Sequence, residues 1–420
     1  MHLTKSEQQM LDGGLGEAAQ QSMEILVALA KIYEAEKMIP ITSAQIAGVS
    51  YKTIGDAGLE YLQGLAAKGA KVHVPSFLNP AGMDIAQWKE MKIPEDFAKK
   101  QLAILDAYFM MGIMKTCTCT PYFIGIRPKK GEHIAWAESS AISFANSVLG
   151  ARTNREGGPS ALAAAICGVT PYYGLHKEEN RVAKLVVDVE CELKSIADFS
   201  ALGCYVGEIA KDSYPAFKGV KSASEEQLKV LGASMAATGS VPLYFVEGIT
   251  PEYAVKDEAE KIIITEIELK ETKAKLDTSQ PQWWATPYRF PWDSSYPLKT
   301  QDPRHKTQDS RPQLVTLGCP HASLKEIEEV ARLVFSKKPT CEFWICTSRK
   351  IKEEAGKRGY VRTIEQAGGR VVADTCMVVC PLEQMGYCVT GTDSGKAAKY
   401  LPSLCRQRVV FGDLEDILYR

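Results

Sequence analysis

The chain has 420 residues, of which 45% are hydrophobic and 24% charged, enough to bury a large core and to divide into two or three domains. Its 50 lysines and arginines balance 51 aspartates and glutamates. No net field therefore favours nucleic acid or an anionic membrane, and a small molecule is the expected ligand.

The N-terminal MHLTKSEQQMLDGG is polar and carries no apolar signal region, and no later window approaches the roughly 18 apolar residues of a membrane span, which implies a cytoplasmic protein. From about Thr4 to Glu36, apolar positions recur at helical spacing (Met23, Leu26, Ala30, Tyr33). This predicts one helix or a pair, with Ser6 and Glu7 suited to its start. MIPITSAQIA reads as a strand running into a loop, GDAGLEYLQGLAAKG as a helix, and AKVHVPSFLNPAG as a strand closed by a Gly/Pro turn. Such alternation predicts an α/β fold with largely parallel sheets.

A second zone opens with the helix DFAKKQLAILDAYFMMG and a strand-loop, KTCTCTPYF. It continues through HIAWAESSAISFANSVLGARTNREGGPSALAAAICG, where Gly, Ser, Asn and Thr interrupt two helical patterns and place polar residues at helix ends that can receive anions. KLVVDVECEL is an alternating strand, and KIIITEIELKE reads as another. The stretch to Arg311 is rich in Trp and Pro and reads as a long surface loop or linker, with aromatics able to dock a partner or cover a cleft. The remainder, from QLVTLGCPHAS to the C-terminus, is β/α in pattern. These shifts divide the chain into residues 1–110, 111–250, 251–311 and 312–420.

The twelve cysteines, without an export signal, point to reduced thiols in metal, catalytic or packing roles. Cys167, Cys341 and Cys346 lie in apolar runs, where a thiol acts as a small hydrophobe. Cys119, Cys319 and Cys376 differ, because they sit far apart in turn-like settings (TCTCTPY, TLGCPHAS, ADTCMVVCP) that suit no zinc finger. Three such thiolates on a four-iron cubane leave one iron free for a substrate. Cys117 rivals Cys119, since side chains two apart in a strand share a face, and Cys380 competes with Cys376. Lys396, in TDSGKAA before a helix, offers a cation for a carboxylate or phosphate. Arg152, Asn154 and His176 are further candidates: the arginine could grip a carboxylate, and the histidine could equally hydrogen-bond in the core. His321, two residues after Cys319, is read as a helix cap or a support behind the metal ligands, since Pro320 and a helix from Ser323 flank it.

The motifs ITSAQIAGVSY, LNPAGM, TCTPY, HIAWAESSAISFANSVLGARTNREGGPSALAAA, YYGLH with ENR, LGCPHAS, DTCMVV and SGKAA, in this order, resemble the aconitase X family. The resemblance spans the chain except the Trp/Pro-rich segment. It implies an aconitase-like, multi-domain architecture with the active site in an interdomain cleft, and an iron–sulfur cluster, most simply [4Fe-4S], with a smaller cluster or a single iron as alternatives. Cys119, Cys319 and Cys376 match the family's ligand motifs. Gly48, Val49 and Ser50, with Asn79 and Pro80, match substrate loops, and Glu138 and Ser139 match active-site positions where the carboxylate would pass a proton to the departing hydroxyl.

The resemblance further implies a heterodimer, because the swivelling domain is absent here and a small subunit would supply it, together with a serine base. Split archaeal members dehydrate (R)-5-phosphomevalonate to trans-anhydromevalonate 5-phosphate, in the modified mevalonate route to isoprenoids. Other members act on cis-3-hydroxy-L-proline. A non-enzymatic iron–sulfur binding role is a distant alternative.

Overall fold

The N-terminus shows how local chemistry sets the element boundaries. In a computed structural model, which describes residues 1–211, 213–279 and 311–420, Thr4 accepts the Glu7 N–H while Glu7 accepts the Thr4 N–H, a capping box that starts helix Lys5–Leu11 two residues ahead of Ser6. Glycines at 13, 14 and 16 then break the pattern, so a pair of helices forms, the second being Glu17–Ile32. Its buried Met23, Leu26, Val27 and Ala30 face helix Gly158–Cys167.

The sheets are mostly parallel. Strand Ala44–Ile46 lies between Ser76–Leu78 and Ala135–Trp136. A second sheet orders Phe245–Val246, Pro215–Lys218, Ala183–Val189 and Val255–Ile264. The third runs Gly369–Ala373, Glu342–Thr347, Leu314–Leu317, Val389–Thr392, Arg408–Phe411. Chain order reverses in it between Leu314–Leu317 and Val389–Thr392, and at such a point loops leave the carboxyl ends of adjacent strands on opposite sides of a crevice. Each of these sheets divides its buried side chains between two apolar clusters, as the five-stranded one does with Leu314, Trp344 and Val372 in one and Val315, Phe343 and Val371 in the other. Among the described residues no helix is long and apolar enough to cross a membrane.

Several expected strands are shorter or different. MIPITSAQIA splits into Met38–Pro40, which pairs antiparallel with Val169–Pro171, and Ala44–Ile46. Only Ser76–Leu78 of the AKVHVPSFL stretch is a strand. KTCTCTPYF forms no strand: Met114 makes an isolated bridge to Phe77, and Cys117 takes a positive φ of 40° that no strand holds. KIIITEIELKE is cut at Thr265, which caps helix Glu266–Leu276 in a box with Glu268. The Trp/Pro-rich segment lies, over residues 280–310, outside the described residues.

Candidate active site

The candidate residues cluster because they occupy equivalent places on two parallel sheets. Gly48, Val49 and Ser50 follow strand Ala44–Ile46, Asn79 and Pro80 follow Ser76–Leu78, and Glu138 and Ser139 follow Ala135–Trp136. Cys319 follows Leu314–Leu317, Cys376 follows Gly369–Ala373, and Lys396 follows Val389–Thr392. All six loops leave carboxyl ends, and the two edges are in contact. Ser50 Oγ donates to the Val379 carbonyl at 3.0 Å, Ala81 N donates to the Asp374 carbonyl at 2.8 Å, and His321 N donates to Cys119 Sγ at 3.2 Å.

Cys119, Cys319 and Cys376 are buried. The thiols of Cys319 and Cys376 hydrogen-bond each other, which pushes the Cys319 proton to higher pH and draws that of Cys376 down, helped by Lys396 and the N–H groups of Val378 and Val379. One sulfur of the pair thus gains thiolate character. Burial pushes the Cys119 thiol up, and the Glu138 charge adds to that. Cys376 lies close enough to Cys119 to raise its pKa, and Cys119 in turn raises that of Cys319. Cys117 parts company with this group, because its left-handed backbone turns it toward Asp374, Arg349 and the backbone of Ala81. Cys380 sits among Cys405, Lys52 and Glu383.

Burial opposes the thiolate of all three sulfurs, but backbone N–H groups directed at Cys119 and Cys376 and a nearby ammonium favour it, and sulfur is the soft donor that iron–sulfur clusters take. The residues fit such a group. Among the described residues, no three His, Cys, Asp or Glu side chains are arranged to hold a single metal ion.

Beside the sulfurs stands a buried ion pair, Glu138 with Lys396. Glu138 is the N-cap of helix Ser139–Ser147, accepting the Ala141 N–H at 2.7 Å and the Ser140 hydroxyl at 2.5 Å, while Ser139 Oγ lies 3.4 Å away. Burial opposes the Glu138 charge, but Lys396, Ser140 and the Ala141 N–H outweigh it and hold the carboxyl below its usual range. Lys396 is likewise opposed by burial, yet Glu138 and the cysteines raise its pKa. In the resting pair the proton therefore sits on Lys396. Gly48, Asn79, Ser139 and Lys396 keep partial exposure. The buried Asn79 Oδ1 finds no partner among the described residues, which leaves it an acceptor for a ligand.

Gly395 fixes where Lys396 starts. A Cβ there would meet Cys204 Sγ at 2.6 Å, Ser234 Oγ at 2.7 Å and the Ser200 carbonyl at 2.9 Å, because the start of helix Gly395–Cys405 presses on helices Ile196–Ala210 and Glu225–Gly239. Gly395→Ala is expected to cost about 1–3 kcal/mol through overpacking and to lower kcat by moving the ammonium. Chemical denaturation and steady-state kinetics check this, and a variant with unchanged kcat refutes it.

Arg152, Asn154 and His176 are engaged elsewhere. Arg152 pairs with Glu178 at 2.6 Å and Glu252 at 2.8 Å and donates to the Gly150 carbonyl at 2.7 Å, so its guanidinium is committed to protein groups. Asn154 bridges the Tyr173 carbonyl and the Leu175 N–H. His176 Nδ1 lies 3.0 Å from His133 Nδ1. Burial, then the neighbouring His133 and arginines, draws the His176 pKa from 6.5 to about 3.

His176 carries a pH dependence. Below pH 6.5 the unfolded chain binds a proton that folded His176 refuses until about pH 3, so stability is whole above 6.5 and falls across that window. At pH 5 the loss from this group should be about 2 kcal/mol, at about 1.4 kcal/mol per unit. Urea unfolding of His176→Gln should show a shallower acid slope than the parent chain, and identical slopes would remove His176 from the account.

Other residues at the site had little sequence signal. Asp84 is wholly buried and receives Arg349 at 2.6 Å, Lys352 at 3.3 Å and the Ala373 N–H at 3.0 Å, while Arg349 also pairs with Asp374, two residues before Cys376. This knot joins the loop after Asn79 to the loop of Cys376. Lys229, buried among the small and apolar residues of its helix, pairs with Glu326 at 2.6 Å and reaches the carbonyls of Pro320 and His321. A lone lysine inside QLKVLGASMAATG was the only hint of it. Ser323, not His321, caps helix Leu324–Ser336.

Comparison with known proteins agrees along the chain. Family models for the Aconitase X first, second and third domains match residues 1–179, 183–274 and 312–420. The chain is 51% identical over 421 residues to the phosphomevalonate dehydratase large subunit of Methanothermobacter thermautotrophicus, covering 100% of this chain and 98% of that one. It is 48% identical over 429 residues to the protein of that description from Methanocaldococcus jannaschii, covering 100% and 99%. A cis-3-hydroxy-L-proline dehydratase from Pseudomonas aeruginosa is 31% identical over 423 residues, 97% of this chain and 68% of that one. The crystal structure of Thermococcus kodakaraensis aconitase X in its holo-form superposes with a TM-score of 0.87 at 45% identity, covering 100% and 99%.

Proposed function

The chain belongs to the aconitase X family, and from that premise we propose that it is the large subunit of a hydro-lyase that removes water from (R)-5-phosphomevalonate to give trans-anhydromevalonate 5-phosphate. The observation that carries the chemistry is the meeting of three buried thiols with the Lys396–Glu138 pair where two sheet edges touch. Identity near 50% to phosphomevalonate dehydratase large subunits, against 31% to a hydroxyproline dehydratase, favours the phosphorylated substrate.

Cys119, Cys319 and Cys376 would hold an iron–sulfur cluster. When bound, that group supplies a Lewis acid for the tertiary hydroxyl, a poor leaving group by itself. Lys396, kept cationic by Glu138, binds and orients the substrate carboxylate. Gly48 and Ser50, with Asn79, line the side from which substrate enters, and Gly48, at a φ of 77°, lets an anion approach the backbone closely. In the reaction the C–O bond breaks with its electron pair on oxygen, a proton leaves the carbon beside the carboxylate, and the electrons of that C–H bond form the C=C bond. The proton taken from carbon balances the one that the departing hydroxyl needs, and Glu138 would pass it on as substrate draws Lys396 away from the carboxylate.

The word "subunit" in the relatives' names supports a partner, which would carry the serine base and close the cleft. Anaerobic co-expression of both subunits, followed by assays with phosphomevalonate and with cis-3-hydroxy-L-proline, tests this. Turnover of the first alone is expected. Turnover of the second alone would reassign the substrate, and turnover of neither by an iron-loaded complex would defeat the proposal.

A further inference from the structure

One residue links all three cysteine loops. The backbone N–H of His321 donates to Cys119 Sγ at 3.2 Å, its ring Nδ1 lies 3.0 Å from Thr118 Oγ1, and its Nε2 lies 2.9 Å from the Thr375 carbonyl. Thr118 precedes Cys119, Thr375 precedes Cys376, and His321 itself follows Cys319 by two. A carbonyl only accepts, so Nε2 carries the proton and Nδ1 accepts from the Thr118 hydroxyl. The ring is wholly buried.

The loops of Cys119 and Cys319 are otherwise anchored to separate sheets, while the loop of Cys376 already bonds across them through the Asp374 carbonyl and Ala81 N. Thr118 N donates to the Leu78 carbonyl at 2.9 Å and its carbonyl accepts from Gln45 Nε2 at 3.2 Å, both on the three-stranded sheet. Ala322 N donates to the Cys346 carbonyl at 2.9 Å, on the five-stranded one. Lys229 holds the Pro320 and His321 carbonyls from a third element, and so fixes the stem from which the ring projects. His321 thus adds a tie across the two edges at the level of the sulfurs, beside the Ala81–Asp374 bond and the Asp84–Arg349 knot.

We propose that His321 is a positioning residue that sets the spacing of the three sulfurs, so that a cofactor of fixed geometry meets preformed ligands; this rests on reading Cys119, Cys319 and Cys376 as those ligands. Its two ring bonds can be removed one at a time. The amide of His321→Gln reaches the Nε2 position and keeps the Thr375 bond but loses Thr118, whereas His321→Asn keeps an acceptor at the Nδ1 position for Thr118 and loses Thr375.

The test labels the metal-free full chain with a maleimide and follows each cysteine by peptide mass spectrometry, with Cys167 and Cys346, both buried, as references for general loosening. The expected pattern is crossed. Cys119 labels faster in His321→Gln with Cys376 unchanged, and Cys376 labels faster in His321→Asn with Cys119 unchanged. Thr118→Val, which deletes the hydroxyl and keeps the shape, should repeat the first result and serves if a His321 variant fails to fold. In iron-loaded protein, a ferrous chelator should strip iron roughly 10–100-fold faster from either variant. Equal acceleration at every cysteine, references included, or none at any, would overturn the proposal. Should the parent chain take up no iron, the proposed function fails by itself, and the labelling pattern still decides the role of His321.

Discussion

Cys376→Ser is expected to give a folded, colourless protein whose activity falls by more than roughly 100-fold, the upper end of what is lost when a residue merely supports a ligand is changed. The sulfur shares a hydrogen bond with Cys319 and receives two backbone N–H groups, and a serine hydroxyl in that buried place is neither soft nor readily ionised. Loss of stability should stay near 1–3 kcal/mol, the cost of burying an imperfectly matched hydroxyl. Cys319→Ser should behave alike. Cys117→Ser should keep its visible absorbance, because that side chain faces Ala81 and Asp374 instead. Spectra of anaerobically reconstituted variants decide the matter, and a bleached Cys117→Ser beside a coloured Cys376→Ser would invert the ligand assignment.

Lys396→Met should be worse for stability than any surface lysine change. It leaves the Glu138 carboxylate, 5% exposed, without its cation, and breaking a buried pair from one side costs roughly 3–5 kcal/mol. The double variant Glu138→Gln/Lys396→Met removes both charges and should recover much of that stability while staying inactive. Thermal and chemical unfolding of the four proteins of this cycle measure the coupling. If Lys396→Met is as stable as the parent chain, the pair is not sealed from water as described. If the double variant turns over substrate, the pair has no part in the reaction.

Much of the site was legible because its chemistry is carried by residue types in local contexts. The helical periods around Met23, Leu26 and Ala30, the turn placement of Cys319 and Cys376, and the cation at Lys396, which lies in the first turn of helix Gly395–Cys405 and not in the loop before it, are features of a few consecutive residues. The strands were harder. Ala44–Ile46 and Ala135–Trp136 are three and two residues long, and their hydrogen bonds are made to segments far away in the chain, so alternation over so few positions carries little signal. KIIITEIELKE went astray because a β-branched run masks the capping box at Thr265 and Glu268. Glu138, which the resemblance makes a proton carrier, is also the cap of helix Ser139–Ser147 and is sealed against Lys396, a contact that no local pattern encodes.

The amino-acid sequence alone determined the α/β class, the family pattern and the short list of sulfur, carboxylate and ammonium groups, since composition, periodicity and motif order are properties of neighbouring residues. Tertiary structure alone decided which of those groups meet. A φ of 40° at Cys117 turns one thiol away and leaves Cys119 beside Cys376, and Arg349 finds Asp84 across 265 positions of chain. His321 becomes the common partner of three loops by the same means. The physical reason is that parallel sheets direct the loops at their carboxyl ends to one side, and packing two such edges together sets distances that no spacing along the chain encodes.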